Sequence, residues 1–249
     1  MKRRITAETD NKKSQGRDWT KEIRHFVWFG WAVFATCVSI MTTPTSAATV
    51  VDEAALDGIF SQESFGDTPV DIRLLPKQEL VSPQFSSIDN VAEQEALWAL
   101  NDTQPQLHLY YVDKIDRGPF FSVAGTAEFT PTGPFDPRTV QQPGIWGNSI
   151  TIDRDLVSGD LLAQVVAHEI GHTLGVYHVG EREVLFGGFV DNLMFPFGGV
   201  SDLLYESQVA TMLTSPFMQG DAATGFFVEI QQYDVVREPT VIAPVPLPA

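Results

Sequence analysis

The sequence predicts a mixed β-sheet with helices packed against it, an α/β or α+β layer arrangement. Three observations carry that expectation. Short alternating or β-branched runs recur at residues 70–75 (VDIRLL), 107–112 (LHLYYV) and 149–153 (SITID), the pattern of strands. Apolar residues at helical spacing fill residues 87–100 and the stretch that opens at Gly159 and Asp160,. The resulting order is strand, helix, strand, strand, helix, in a chain of 249 residues, enough for one sizeable core with terminal extras.

In chain order, residues 49–69 mix acidic residues, Gly and Ser around Ile59 and Phe60 and read as a lead-in. The strand at 70–75 is closed by Pro76. Residues 87–100 form a helix with Asp or Ser as cap and Val91, Ala92, Ala96, Leu97 and Leu100 along it,. The strand at 107–112 carries His108, read as a partly buried structural histidine. Residues 120–129 are β-like around Gly125, and 131–143 form a loop rich in Pro and Gly,. After the strand at 149–153, a helix runs through Leu161, Leu162, Val165 and Val166, and a last one covers 207–213. No repeat is present. The domain is expected to span 70–219. Residues 220–249, with Pro239, Pro244, Pro246 and Pro248 at their end, read as a flexible tail,.

The first 48 residues form a unit of their own. Eight of the 16 Lys and Arg lie before residue 25, an apolar run of 16 residues follows at 26–41, and small residues lead to Ala48. That is the layout of a signal peptide, with Ser46 and Ala48 at −3 and −1. The run falls short of the roughly 20 residues that span a bilayer, so no stable membrane span is expected after cleavage; an uncleaved anchor is the competing reading. Secretion is the expectation, with periplasm or cell surface as the nearest alternatives. Removing 1–48 leaves 8 basic and 28 acidic residues, a charge of −20, against −16 for the whole chain. Such acidity excludes a nucleic-acid partner, because neutralising phosphates takes clustered Lys and Arg. The only cysteine, Cys37, leaves with the segment, so disulfides and thiolate metal sites are excluded.

The chemistry concentrates in residues 167–178, AHEIGHTLGVYH. His168 and His172 are four apart, so on a helix both imidazoles leave one face, one turn apart. That suits two nitrogens on one tetrahedral zinc at about 2.0–2.1 Å. Glu169 is rotated by about 100° from His168, so its carboxylate reaches a water on the metal without ligating it. Gly175 permits the sharp left-handed turn that ends a helix, after which His178 completes a three-histidine site with an open fourth position. Zinc lowers the pKa of such a water to about 7, and Glu169 takes its proton as general base. Three of the four histidines after residue 48 fall in this window. An amphipathic core helix is the bland alternative, and His, Glu and His are poor core residues.

These residues resemble the metzincin clan of zinc metallopeptidases, whose motif HExxHxxGxxH is followed by a Met-turn. The resemblance implies an α+β, zincin-like catalytic domain and assigns Met194, in Asp191-Asn-Leu-Met-Phe-Pro196, as the Met-turn residue beneath the metal. It is nearest to the matrixins. It also implies that residues 123–131 are an edge strand to which an extended peptide adds by β-augmentation. Departures leave the subfamily open. His178 and Met194 are 16 residues apart, Val179 follows the third histidine where matrixins have Ser, and Pro196 stands where astacins and serralysins have a Tyr ligand.

Other residues carry weaker signals. Tyr205 is read as packing at the start of a helix, with oxyanion stabilisation as the rarer role. Asp153, Asp155 and Asp160 offer the oxygen ligands calcium takes, but without an EF-hand pattern they read as solvated loop carboxylates. Residues 245–249 (VPLPA) resemble the opening of a bacterial C-terminal sorting signal, which implies processing at the cell surface. The expected function is a secreted zinc endopeptidase acting on peptide or protein substrates. The alternatives are a zinc amidase acting on cell-wall peptides and a non-catalytic zinc-binding surface protein. Oligomeric state is open.

Overall fold

The computed structural model describes residues 50–101, 106–116, 124–131, 144–179, 190–196 and 201–238. Residues 1–48, read from the sequence as a signal peptide, most of the 131–143 loop and residues 239–249 therefore lie outside the described residues. Helix α1, Glu53–Phe60, starts where Asp52 accepts a hydrogen bond from the Ala54 N–H, and it buries Leu56, Ile59 and Phe60 at spacings of three and four,. Residues 50–69 of the expected lead-in at 49–69 are thus packed as part of the domain. Phe60 meets Phe65 of a 3-10 turn, Glu63–Phe65, edge to face at 6.1 Å.

The strands follow as β1 (Val70–Leu74), β2 (Gln78–Val81), β3 (Ser87–Ile88), β4 (Leu107–Val112), β5 (Lys114–Ile115), β6 (Gly125–Pro131), β7 (Gly144–Asp153), β8 (Gln219–Asp221) and β9 (Gly225–Val236). Helix α2 is Val91–Trp98, α3 is Asp160–Thr173 and α4 is Glu206–Met212. Seven strands form one mixed sheet in the order β1-β9-β4-β7-β6, with β2 and β8 also paired to β9. Among the described residues only β6–β7 and β8–β9 are antiparallel. The fold is α+β, a mixed sheet with few helices.

The outer edge of β1 is blunted by α1. Asp57 Oδ1 accepts from the Ile72 N–H at 2.8 Å and Glu53 Oε2 from the Leu74 N–H at 2.7 Å. Two carboxylates thereby occupy donors that an exposed edge would offer to another chain.

The largest departure from the sequence reading is β9. Its first half pairs in parallel with β1 (Phe226–Ile230), its second half with β2 (Tyr233–Val236), and its other edge takes β4 (Ile230–Asp234). Residues 225–236, expected to lie in a tail, are therefore an inner strand of the sheet. Val228, Ile230 and Val235 are fully buried. The polar residues between them look solvent-loving in sequence but have partners here. Gln231 donates to Pro76 O at 2.8 Å, Gln232 accepts from the Tyr111 hydroxyl at 3.0 Å, and Asp234 pairs with Lys77 and Arg154.

Each face of the sheet has its own core. Leu107, Leu109, Tyr111, Ile150, Ile152, Ile72, Val228 and Ile230 pack with α1 and α3. Tyr110, Val112 and Val235 pack with Ile88, Ile115 and Leu97 of α2. Helix α2 is capped by Asn90, which accepts from the Glu93 N–H at 3.0 Å; the sequence had pointed to Asp or Ser. It stops at Trp98, leaving Val91 and Leu100 exposed.

His108 is completely buried, more than the sequence suggested, and neither ring nitrogen finds a partner. It stacks on Tyr233 (5.9 Å) and Tyr110 (6.5 Å). Burial pushes its pKa down to about 4. The folded state therefore takes up its proton later than the unfolded chain, and the stability present above pH 6.5 drains away as pH falls toward 4. His108→Phe is expected to flatten that acid limb in a melting-temperature series from pH 7 to 4. A series parallel to wild type would contradict this.

Among the described residues no helix is long and apolar enough to cross a membrane.

Candidate metal centre

Helix α3 buries Leu162, Val165, Val166 and Ile170 in the same core as Leu109, Ile150 and Ile152. That packing sets the rotation of the helix, so His168 and His172 leave one side together. Their rings meet nearly perpendicular, with centroids 4.8 Å apart. The helix ends as the sequence anticipates in a Schellman motif. Val176 N–H donates to Gly171 O and Gly175 N–H to His172 O, both at 2.9 Å,. Gly175 takes φ of 94°, a conformation that costs other residues dearly. The chain then doubles back. His178 Nε2 arrives 3.1 Å from His168 Nε2 and 3.0 Å from His172 Nε2.

The outer nitrogens define the tautomers. His168 Nδ1 lies 2.6 Å from Leu193 O, and His172 Nδ1 lies 2.8 Å from Val176 O. A carbonyl only accepts, so each Nδ1 carries the proton and each Nε2 presents a lone pair to the centre. His178 could donate a single proton, to one of the two. Three converging ring nitrogens with at least one lone pair left over are a donor set for a cation, and His168, His172 and His178 could hold a metal ion. Burial lowers His168 to about 4 and His172 to about 3, and holds His178 well below the usual histidine range, with the neighbouring histidines adding to the effect on the last two. The imidazoles are therefore uncharged at pH 7, the form of histidine that ligates a metal.

A second turn braces the cluster from below. Phe195 N–H donates to Asn192 O at 3.0 Å, closing residues 192–195. Leu193 O faces His168, and Met194 O accepts from Val179 N–H at 2.9 Å, directly after His178. Met194 is completely buried. It presses on Gly171, where a Cβ would stand 2.5 Å from its Sδ, which explains a glycine inside a helix.

Glu169 is 4% exposed and lies under β6. A Cβ on Gly125 would come within 2.9 Å of its Cγ and 3.0 Å of Oε1. Desolvation raises its pKa to about 8.

The remaining sequence candidates fall elsewhere. Tyr205 is 43% exposed and caps α4, its backbone N–H donating to Gln208 Oε1 at 2.7 Å. Asp153 is no solvated loop carboxylate. It is buried and accepts from the N–H groups of Ile115, Asp155 and Leu156, so most of its acceptor capacity serves the backbone. The side chain of Asp160 lies outside the described residues. Among the described residues, the three histidines are the only such cluster that could hold a metal ion. Sequence reasoning missed Gly171, Gly125, Asn192 and Gln208, whose contacts are made only by the folded chain.

Gly175→Val is expected to lower both metal affinity and melting temperature, because a β-branched residue is strained at positive φ. Met194→Leu, which keeps volume, should cost less than about 1.5 kcal/mol and keep the metal. Wild-type metal affinity in Gly175→Val would contradict the role given to that turn.

No family model, curated protein or solved structure matches this chain.

Proposed function

We propose that the chain is an exported zinc-dependent endopeptidase of the metzincin type. The observation that carries this reading is the convergence of three neutral imidazole Nε2 atoms, 3.0–3.1 Å from His178 to each partner, beside the buried carboxyl of Glu169. Tetrahedral zinc with bonds of about 2.0–2.1 Å sets its donors roughly 3.3 Å apart, close to the two spacings that His178 makes, and the three ligand atoms all lie within 4.8 Å of one another. Neutral imidazoles suit zinc, and three protein ligands mark a catalytic site more than a structural one.

Bound zinc supplies Lewis acidity and brings the pKa of a water to about 7. Glu169 takes the proton of the attacking water and passes it to the leaving amine. Strand β6 is antiparallel to β7, and its other edge pairs with no strand among the described residues. That edge offers its main chain to an extended peptide, directly above Glu169. Residues 192–195 act as the Met-turn. Export rests on the character of residues 1–48.

The test is cleavage of a denatured protein by the chain lacking residues 1–48, with and without a chelator. Activity is expected to disappear with the chelator and return with zinc, and His178→Ala should abolish both zinc retention and cleavage. A zinc-loaded chain that cleaves no protein would overturn the reading. Hydrolysis of cell-wall peptides alone would then make it an amidase, and zinc retention without any hydrolysis a binding protein.

A further inference from the structure

We infer that Gln208, on a different helix from His168 and His172, is a positioning residue of the metal centre, acting through a buried amide pair with Asn192. The inference rests on the reading that the three histidines bind metal.

Both side chains are completely buried. Asn192 Nδ2 donates to Gln208 Oε1 at 2.9 Å, and Gln208 Nε2 donates back to Asn192 Oδ1 at 3.1 Å. The two oxygens have further lone pairs, and backbone donors use them. Met194 N–H reaches Asn192 Oδ1 at 2.9 Å, and Tyr205 N–H reaches Gln208 Oε1 at 2.7 Å. Each amide is thus fixed in orientation, since a flip would set donor against donor. The pair ties the start of α4 to the turn at 192–195.

That turn is where the ligands are braced. Its Leu193 carbonyl receives the proton of His168 Nδ1 at 2.6 Å, and its Met194 carbonyl receives Val179 N–H at 2.9 Å, next to His178. Leu193 N–H is itself held by Leu203 O at 2.6 Å, in the segment leading to α4. Two of the three ligands therefore depend on one turn, and the turn's only side-chain anchor for its Met194 N–H is Asn192. Without Gln208, Asn192 would keep that bond but lose both bonds that hold its own plane, leaving a buried amide donor unsatisfied. The Leu193 carbonyl would then be held less firmly, and His168 with it.

Loss of an outer partner of a metal-binding histidine typically weakens metal binding by about 10–100-fold. Gln208 acts one step further out, so the low end, about tenfold, is expected.

The experiment measures zinc affinity by competition with a chromogenic chelator, the visible spectrum of the cobalt(II) form, and the melting temperature of the metal-free protein. Gln208→Met removes the amide at nearly constant volume. Gln208→Glu keeps the acceptor and loses the donor. Leu97→Ala, in the core on the opposite face of the sheet, serves as a destabilised control. Gln208→Met is expected to bind zinc about tenfold more weakly with an altered cobalt spectrum, Gln208→Glu to fall between it and wild type, and Leu97→Ala to melt earlier with unchanged affinity and spectrum. Adding Asn192→Ala to Gln208→Met should weaken binding by less than the two single effects combined. If Gln208→Met only melts earlier, as Leu97→Ala does, and keeps wild-type affinity and spectrum, the inference is overturned. If wild-type protein binds neither metal, the metal reading itself falls and this inference with it, a distinct result.

Discussion

Glu169→Gln is expected to leave a folded, metal-loaded protein whose peptide hydrolysis is about 10²–10⁴-fold slower or worse. The substitution keeps shape and volume, and Glu169 is no ligand in the proposed site, so the imidazole cluster remains. What disappears is the group able to take a proton from water. The site suits that task physically. Burial pushes the carboxyl up to about 8, and a dication held by the three histidines would favour the ionised form and lower that value. A base with a pKa near the operating pH is the efficient one. The absent side chain at Gly125 leaves room for the carboxylate, and Glu169 stays buried. The measurement is kcat/KM on a protein substrate together with metal content. Near-normal hydrolysis by a zinc-loaded Glu169→Gln protein would remove Glu169 from the mechanism.

What the sequence made legible and what it hid divide along the range of the interactions. His168, His172, Gly175 and His178 were readable because their relation is local. The spacing of four and a glycine at the helix end express their geometry within eleven residues,. Strand β4 was readable from its apolar run because it is buried on both faces,. Asn192 and Gln208 are 16 residues apart on separate elements, and nothing in either residue marks them before the chain folds. Gly171 and Gly125 answer to Met194 and Glu169, neighbours that only tertiary packing supplies. Helix α1 was missed because its acidic residues Glu53 and Asp57 look solvent-facing, whereas two of them seal the edge of β1. Strand β9 was missed for the same reason on a larger scale.

A chain ending at Met218 is therefore expected not to fold, whereas one ending at Glu238 should match the full-length protein in melting temperature and metal binding. Ending at Met218 removes β9 and with it the strand between β1 and β4. Both neighbours would lose five-residue pairings, leaving inner-edge backbone groups without partners in a region covered by helices. The contacts of Val228 and Ile230 would go from the core beneath α3. Arg154, half-buried against Asp113 at 2.7 Å, would lose Asp234 and the Val235 carbonyl. A domain holds only about 5–15 kcal/mol in total, and the loss of an inner strand exceeds that. Ile230→Ala gives a graded version. Ile230 is paired to Leu74 on one side and Leu107 on the other, and truncating it in the packed core should cost about 2–5 kcal/mol. Circular dichroism and thermal melts of the two shortened chains and the point variant decide the matter. A cooperative melt near the full-length temperature for the chain ending at Met218 would show that β9 is not integral to the sheet and would restore the domain end at 219.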